Sequence, residues 1–110
     1  MEANELRIGN YVLDNSKNIK KVSNIFENTI YTQSAGKQFY YPITLTEEWL
    51  FNFGFEKLEG WDDLFYFQTG KFQVYSHNVS GYEYDGFNIK HVHQLQNLYF
   101  ALTNKELTIK

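Results

Sequence analysis

The stretch from residue 90 to residue 110 constrains the fold of this chain more than any other. Between residues 92 and 103, apolar side chains recur every three or four positions, the spacing that places them on one face of an α-helix. That face consists of Val92, Leu95, Leu98, Tyr99 and Leu102. Thr103 and Asn104 end the helix, and the apolar residues of 107–109 predict an edge strand. We therefore expect the helix to pack into the core and the final strand to hold the C-terminus in place.

The first 42 residues predict an antiparallel β meander. Segments rich in β-branched and aromatic residues alternate with short clusters of turn formers, and Pro42 ends the last segment. The four expected strands cover residues 6–13, 19–26, 29–33 and 37–41. A meander of this length is compatible with a small SH3-like half-barrel.

A short amphipathic helix is predicted over residues 46–53. Thr46 is a suitable N-cap, because its hydroxyl can accept a hydrogen bond from a free main-chain N–H of the first turn. Glu47 and Glu48 follow in that turn, where the helix dipole favours negative charge. Gly54 is placed to end the helix as the first residue beyond its C-cap.

A second antiparallel sheet is predicted after this helix. Residues 64–69 and 72–76 have strand composition and flank Gly70-Lys71, so they predict a hairpin. Residues 82–89 add a further strand with a break at Asp85-Gly86. Together with the meander and the two helices, these elements define one α+β domain that spans residues 1–110.

Composition narrows the setting in which the protein works. The chain has no cysteine, which excludes disulfides, thiolate nucleophiles and cysteine-bound zinc and favours a cytoplasmic protein over a small secreted one. Residues 1–12 lack the pattern of a signal peptide. No apolar run approaches the roughly 18 residues of a membrane-spanning helix. We expect a cytoplasmic protein that does not contact a membrane.

Three segments resemble small proteins encoded by phages, prophages and other mobile elements of Bacteroidota-type bacteria. The segments are NELRIGNYV at residues 4–12, PITLTEEWLFNFGF at 42–55 and VHQLQNLYFALTNKELTI at 92–109. The resemblance implies an accessory protein in the host bacterial cytoplasm that acts by binding another protein, for example by inhibiting a host defence system. It carries over no catalytic residue.

The sequence offers no support for an enzyme or for a bound cofactor. It contains no nucleophile elbow, no Walker A motif and no dinucleotide-binding glycine loop. Glu83 and Asp85 would share one face of a strand, and Asp62 and Asp63 form a second acidic pair. Paired carboxylates can divide acid and base work, but no further motif surrounds either pair. We expect all four to be solvated acids.

Three histidines are the candidates for a metal site, and Glu83 or Asp85 could add a carboxylate ligand. His91 and His93 form an H-x-H pair, and His77 is a candidate for a third nitrogen ligand. If the last helix begins at Val92, residues two apart point about 200° apart, and the two imidazoles diverge. We therefore expect no metal site, and a capping or solvent-facing role for the pair.

Aromatic residues make up 19% of the chain, and four tyrosines of the second sheet are the main candidates for a binding surface. If their side chains point outward, they form a rigid contact surface for a protein partner. The surface consists of Tyr66, Tyr75, Tyr82 and Tyr84, with an acidic rim of Asp62, Asp63, Glu83 and Asp85 that favours a basic partner. An ordinary wetted sheet face is the alternative interpretation. Surplus aromatic surface of this kind also favours a small homo-oligomer.

A nucleic-acid-binding module is the alternative function. It would use basic residues of the N-terminal meander, namely Arg7, Lys17, Lys20, Lys21 and Lys37. Nucleic-acid binders usually have a basic footprint, because neutralised phosphates supply much of their affinity. The formal net charge of −3 disfavours this function.

Overall fold

The computed structural model describes residues 5–26, 29–32, 40–60, 64–77 and 81–110, and within them the fold is α+β. The strands are β1 (Tyr11–Leu13), β2 (Ile19–Phe26), β3 (Thr29–Thr32), β4 (Glu56–Glu59), β5 (Leu64–Thr69), β6 (Phe72–His77), β7 (Gly81–Tyr84) and β8 (Phe87–Ile89). The helices are α1 (Glu47–Asn52) and α2 (Val92–Thr103). Strands β1–β3 form one antiparallel sheet and β4–β8 form another, each in chain order.

The chain divides into two compact units. The first contains residues 1–44 and 91–106, and the second contains residues 45–90 and 107–110. Each unit thus combines one sheet with one helix. The assignment of residues 1–110 to one domain stays a prediction.

The first unit contains the predicted meander. On the side of β1 away from β2, Leu13 and Tyr41 exchange two main-chain hydrogen bonds, with N···O distances of 2.9 and 2.8 Å. The fourth predicted strand is thus present at Tyr41 as a bridge, while residues 37–39 lie outside the described residues. The buried side chains that form the core here are Leu6, Val12, Val22 and Tyr40. The half-barrel form of this unit stays a prediction.

Helix α2 begins and ends where the sequence predicts, but its buried face differs from the predicted one. Val92 and Leu95 are fully buried, whereas Leu102 is 53% exposed. His93 and Gln96 are buried with the first two instead. The predicted apolar face is therefore wrong at its C-terminal end, and the helix buries a mixed apolar and polar face over its first turns.

Gln96 connects α2 to the N-terminal segment through two hydrogen bonds. Its side-chain oxygen accepts from the main-chain N–H of Tyr11 at 2.9 Å, and its amide nitrogen donates to the carbonyl of Gly9 at 3.1 Å. Gln96 has no exposed surface, so its side chain takes the place of water at the Tyr11 N–H and at the part-buried Gly9 carbonyl. A buried polar residue thus fixes the position of the helix against β1.

Arg7 makes a second connection between the same segments. Its guanidinium donates to the Asn97 side chain at 2.9 Å and to the Gln96 carbonyl at 3.1 Å, and it pairs with Glu106. It also lies over the Phe100 ring, 4.2 Å from the centroid. Arg7 therefore connects the N-terminal segment to α2 and to Glu106 beyond it.

The second unit begins with α1, whose ends follow the predicted pattern. The Thr46 hydroxyl accepts from the N–H of Trp49 at 3.3 Å, and Gly54 has the positive φ of +91° that terminates the helix. Phe51 on α1 contacts Phe67 of the sheet, with ring centroids 6.1 Å apart. The helix thereby covers part of one face of the five-stranded sheet.

The predicted edge strand at residues 107–109 is absent. Leu107 is buried, and the N–H of Lys110 donates to the carbonyl of Asn52 at the end of α1, at 2.7 Å. The C-terminus is thus held at the end of a helix, and residues 105–110 form no strand.

Among the described residues, no helix is long and apolar enough to cross a membrane.

Candidate protein-binding surface

Strand register sorts the side chains of the five-stranded sheet into two faces. Successive residues of a strand point to opposite faces, and directly paired residues point to the same face. Phe67 pairs with Val74, and Tyr82 pairs with Ile89. On this face Phe67, Val74 and Ile89 are at most 4% exposed, so it is the core face.

The opposite face has a continuous row of side chains across all five strands. The pairings Leu58–Tyr66, Tyr66–Tyr75, Tyr75–Glu83 and Glu83–Asn88 place these residues next to one another. Leu58 and Asn88 at the ends are exposed, and the three residues between them are half-buried. We call this row, Leu58, Tyr66, Tyr75, Glu83 and Asn88, the tyrosine face. It is the solvent side that an antiparallel sheet with one packed face retains.

The two tyrosine rings of this row are held in place by their neighbours. Their centroids lie 6.5 Å apart with the rings tilted by 57°. The main-chain N–H of Gly86 donates to the Tyr75 hydroxyl at 3.3 Å. A Cβ atom at Gly60 would lie 2.8 Å from the Tyr66 ring, so this ring packs directly on the glycine. A surface fixed in this way loses little side-chain entropy when it binds a partner.

Tyr82 and Tyr84 lie on the core face, away from Tyr66 and Tyr75. The Tyr82 ring contacts Phe67 edge-on at 5.7 Å, and Tyr84 stacks on Phe72 at 5.2 Å. Burial, and secondarily the charge of Glu47, raises the pKa of Tyr82 above its usual value. The structure therefore brings two of the four predicted tyrosines together, and the expected four-tyrosine surface does not form.

The predicted acidic rim is reduced to Glu83 among the described residues. Asp85 lies in the turn between β7 and β8 with a φ of +48°, so it does not share a strand face with Glu83. Asp62 and Asp63 lie outside the described residues. A neighbouring row on the same sheet face adds Glu56, which pairs with Gln68.

His91 and His93 do not diverge as the helical spacing predicts. The two rings are stacked, with centroids 5.7 Å apart and an angle of 8° between their planes. His91 is the N-cap and has extended backbone angles, so its side chain does not follow the helical spacing. The main-chain N–H of His91 donates to the side-chain oxygen of Gln94 at 3.0 Å, which holds the start of the helix in place.

His93 is 4% exposed, and its Nδ1 has no hydrogen-bond partner. Burial, followed by the neighbouring His91, lowers the pKa of His93 below its usual value, while Glu5 acts in the opposite direction. The side chain of His77 lies outside the described residues. Among the side chains that are described, no three histidine, aspartate or glutamate residues come close enough to hold a metal ion.

Among the described residues, the basic side chains proposed for nucleic-acid binding do not come together in one patch. Arg7 is occupied by Glu106, Asn97 and Phe100. Lys20 and Lys21 are neighbours on β2 and therefore point to opposite faces. Lys17 lies in the loop between β1 and β2, and Lys37 is outside the described residues.

Comparison of the chain with known protein families, with curated proteins and with solved structures finds no match.

Proposed function

We propose that this protein is a non-enzymatic binding protein whose tyrosine face contacts another protein. The observation that carries the proposal is the adjacent pair Tyr66 and Tyr75, which the sheet holds on its open face and which Gly60 and Gly86 fix in place. Tyrosine supplies a large apolar contact area together with a polar hydroxyl, and it is enriched where proteins bind each other.

The resemblance of residues 4–12, 42–55 and 92–109 to phage and mobile-element proteins supplies the biological setting of the proposal. In that setting the protein acts in the cytoplasm of a bacterial host, and a host defence protein is the partner that we propose. Two of these segments are used to build the fold through Arg7 and Gln96. The tyrosine face lies outside all three segments, as expected if its residues are determined by the partner that they bind and not by the requirements of folding.

Differential affinity capture tests this function. The wild-type protein, a Tyr66→Ala/Tyr75→Ala double variant and a Phe87→Ala variant would be used to capture proteins from a bacterial host, followed by quantitative mass spectrometry. Phe87 is the matched control, because it is a large aromatic residue of the same sheet that is 71% exposed and lies on the other face.

The proposal predicts a host protein that wild type and Phe87→Ala retain and that the double variant loses. Circular dichroism would establish that all three proteins are folded. Equal capture by the double variant and wild type would show that the tyrosine face is not the interface.

A further inference from the structure

We infer that the tyrosine face binds an arginine-bearing segment of its partner, with the guanidinium placed on the tyrosine rings and paired with Glu83. This inference rests on the proposed function and adds the chemistry of the partner. It starts from Tyr75, which is the direct neighbour of Tyr66 on one side and of Glu83 on the other. Directly paired residues on one sheet face have Cβ atoms about 5 Å apart, so a ring and a carboxylate stand side by side.

The same combination of an aromatic ring and a carboxylate holds a cation at two other places in this protein. Arg7 lies over Phe100 and pairs with Glu106. Lys57 lies 4.4 Å from the centroid of Phe65 and pairs with Glu47 at 3.1 Å. On the tyrosine face, by contrast, no described lysine or arginine pairs with Glu83. The face therefore has the anionic and aromatic groups of such a site while the cation remains to be supplied by a partner.

The charge of the second unit agrees with a cationic partner. Its sequence has eight acidic and four basic residues, which gives a net charge of −4, whereas the first unit has five acidic and six basic residues. On the open sheet face the charged strand residues are Glu56 and Glu83, and Lys57 belongs to the other face with Phe67. An acidic face of this kind raises the rate and the specificity of binding to a basic surface.

The same charges disfavour two other occupants. A nucleic acid would bring phosphates next to Glu56 and Glu83, although bases can stack on tyrosine rings. A second copy of the chain, packed face to face, would bring one acidic face against another, and like charges at an interface oppose association. A basic protein segment is the occupant that satisfies both the rings and the carboxylate.

Arginine fits this site better than lysine does. Its guanidinium is planar, so one cation can stack on a ring and donate two hydrogen bonds to a carboxylate at the same time. Lysine has a compact, strongly hydrated ammonium group, which cannot stack flat on a ring while it donates two parallel hydrogen bonds to a carboxylate. The inference therefore predicts a preference between two ligands of equal charge.

Nuclear magnetic resonance titration with two probe peptides tests the inference. Nona-arginine and nona-lysine would each be added to ¹⁵N-labelled wild-type protein, to Glu83→Gln and to Glu59→Gln. Glu59 is the matched control, since it is an exposed glutamate of the same sheet whose side chain belongs to the core-face register with Phe65. The spectra also show whether each variant is folded.

We expect nona-arginine to shift the amide signals of Tyr66, Tyr75 and Glu83 and to bind at least about threefold more tightly than nona-lysine. Glu83→Gln should weaken nona-arginine binding by about threefold or more, and Glu59→Gln should leave it nearly unchanged. Equal binding of the two peptides, equal effects of the two variants, or shifts confined to other residues would overturn the inference. The affinity capture with the Tyr66→Ala/Tyr75→Ala variant tests the proposed function separately. A host partner that binds the tyrosine face without using arginine would contradict this inference and leave the proposed function standing.

Discussion

Replacing Gln96 by leucine should destabilise the first unit more than the similar sizes of the two side chains suggest. The wild-type side chain accepts from the Tyr11 N–H at 2.9 Å and donates to the Gly9 carbonyl at 3.1 Å, and no part of it is exposed. Leucine can do neither, so the buried Tyr11 N–H and the part-buried Gly9 carbonyl lose these hydrogen bonds. Each unsatisfied group costs about 1–3 kcal/mol, and the extra apolar burial returns about 1–2 kcal/mol. The two groups together cost about 2–6 kcal/mol, so the expected net loss lies between about 0 and 5 kcal/mol, with a middle value of about 2.5 kcal/mol, a large share of the stability of a small domain.

The matched control is Gln94→Leu on the same helix. Gln94 is exposed and accepts from the N–H of His91 at 3.0 Å, so water can replace its hydrogen bond and the loss should be under about 1 kcal/mol. Urea unfolding followed by far-ultraviolet circular dichroism gives both free energies of unfolding. Hydrogen exchange at the Tyr11 amide reports the lost hydrogen bond directly, and this amide should exchange faster in Gln96→Leu.

A Gln96→Glu variant separates hydrogen bonding from size. Its ionised carboxylate keeps an acceptor for Tyr11 but cannot donate to the Gly9 carbonyl, whereas the protonated carboxyl group of the same variant can do both. Burial favours the neutral form, so the loss of stability relative to wild type should shrink as the pH is lowered. If Gln96→Leu cost no more than Gln94→Leu and the Tyr11 amide exchanged at the wild-type rate, Gln96 would not stabilise the first unit through these hydrogen bonds.

Three further predictions concern other parts of the fold. Burial and the adjacent His91 lower the pKa of His93 in the folded protein. Near pH 6.5, the usual pKa of histidine, the unfolded chain therefore takes up a proton at His93 while the folded chain does not. The free energy of unfolding should therefore fall as the pH drops below that value and level off below the folded pKa, and a His93→Gln variant should lose this dependence in urea titrations at about pH 7.5 and pH 5.5. Gly60→Ala should lower the unfolding midpoint and shift the ring signals of Tyr66, since the new methyl group would lie 2.8 Å from that ring; unchanged ring signals would contradict the contact. Leu102→Gln should change the free energy of unfolding by less than about 0.5 kcal/mol in the same assay, because the side chain is 53% exposed. A larger loss would show that Leu102 packs in the core.

Both helices were predictable because their ends are determined locally. Thr46 caps α1, Gly54 has a positive φ beyond it, and Asn104 ends α2 in the left-handed conformation. These signals require only neighbouring residues, so a single sequence reveals them. The same holds for the β5–β6 hairpin, where Gly70 supplies the positive φ of the turn.

The division of the tyrosines between two faces could not be read from the sequence. Side chains alternate along a strand, so adding or removing one residue in a connecting loop moves a whole strand's residues to the other face. In the structure Tyr75 pairs with Glu83, and this register places Tyr82 and Tyr84 on the core face. Residue types alone do not fix that register.

Two other differences arise from contacts between distant parts of the chain. The polarity of Gln96 predicts a surface residue. It is buried instead, because its side chain hydrogen-bonds to the main chain of Gly9 and Tyr11. Strand β4 consists of exposed residues only, and its sequence, EKLE, lacks the alternation that reveals a half-buried strand. Its pairing with β5 determines its conformation.

Site-specific photo-crosslinking tests whether the open sheet face is the surface that binds the partner. A benzophenone-bearing phenylalanine analogue would replace Gln73, which is exposed on the tyrosine-face side of β6, or Phe87, which is exposed on the other face. Each protein would be irradiated in host cells and its crosslinked products identified by mass spectrometry. We expect a covalent product with one host protein from position 73 and none with that protein from position 87. A partner that crosslinks from position 87 and not from position 73 would contradict it.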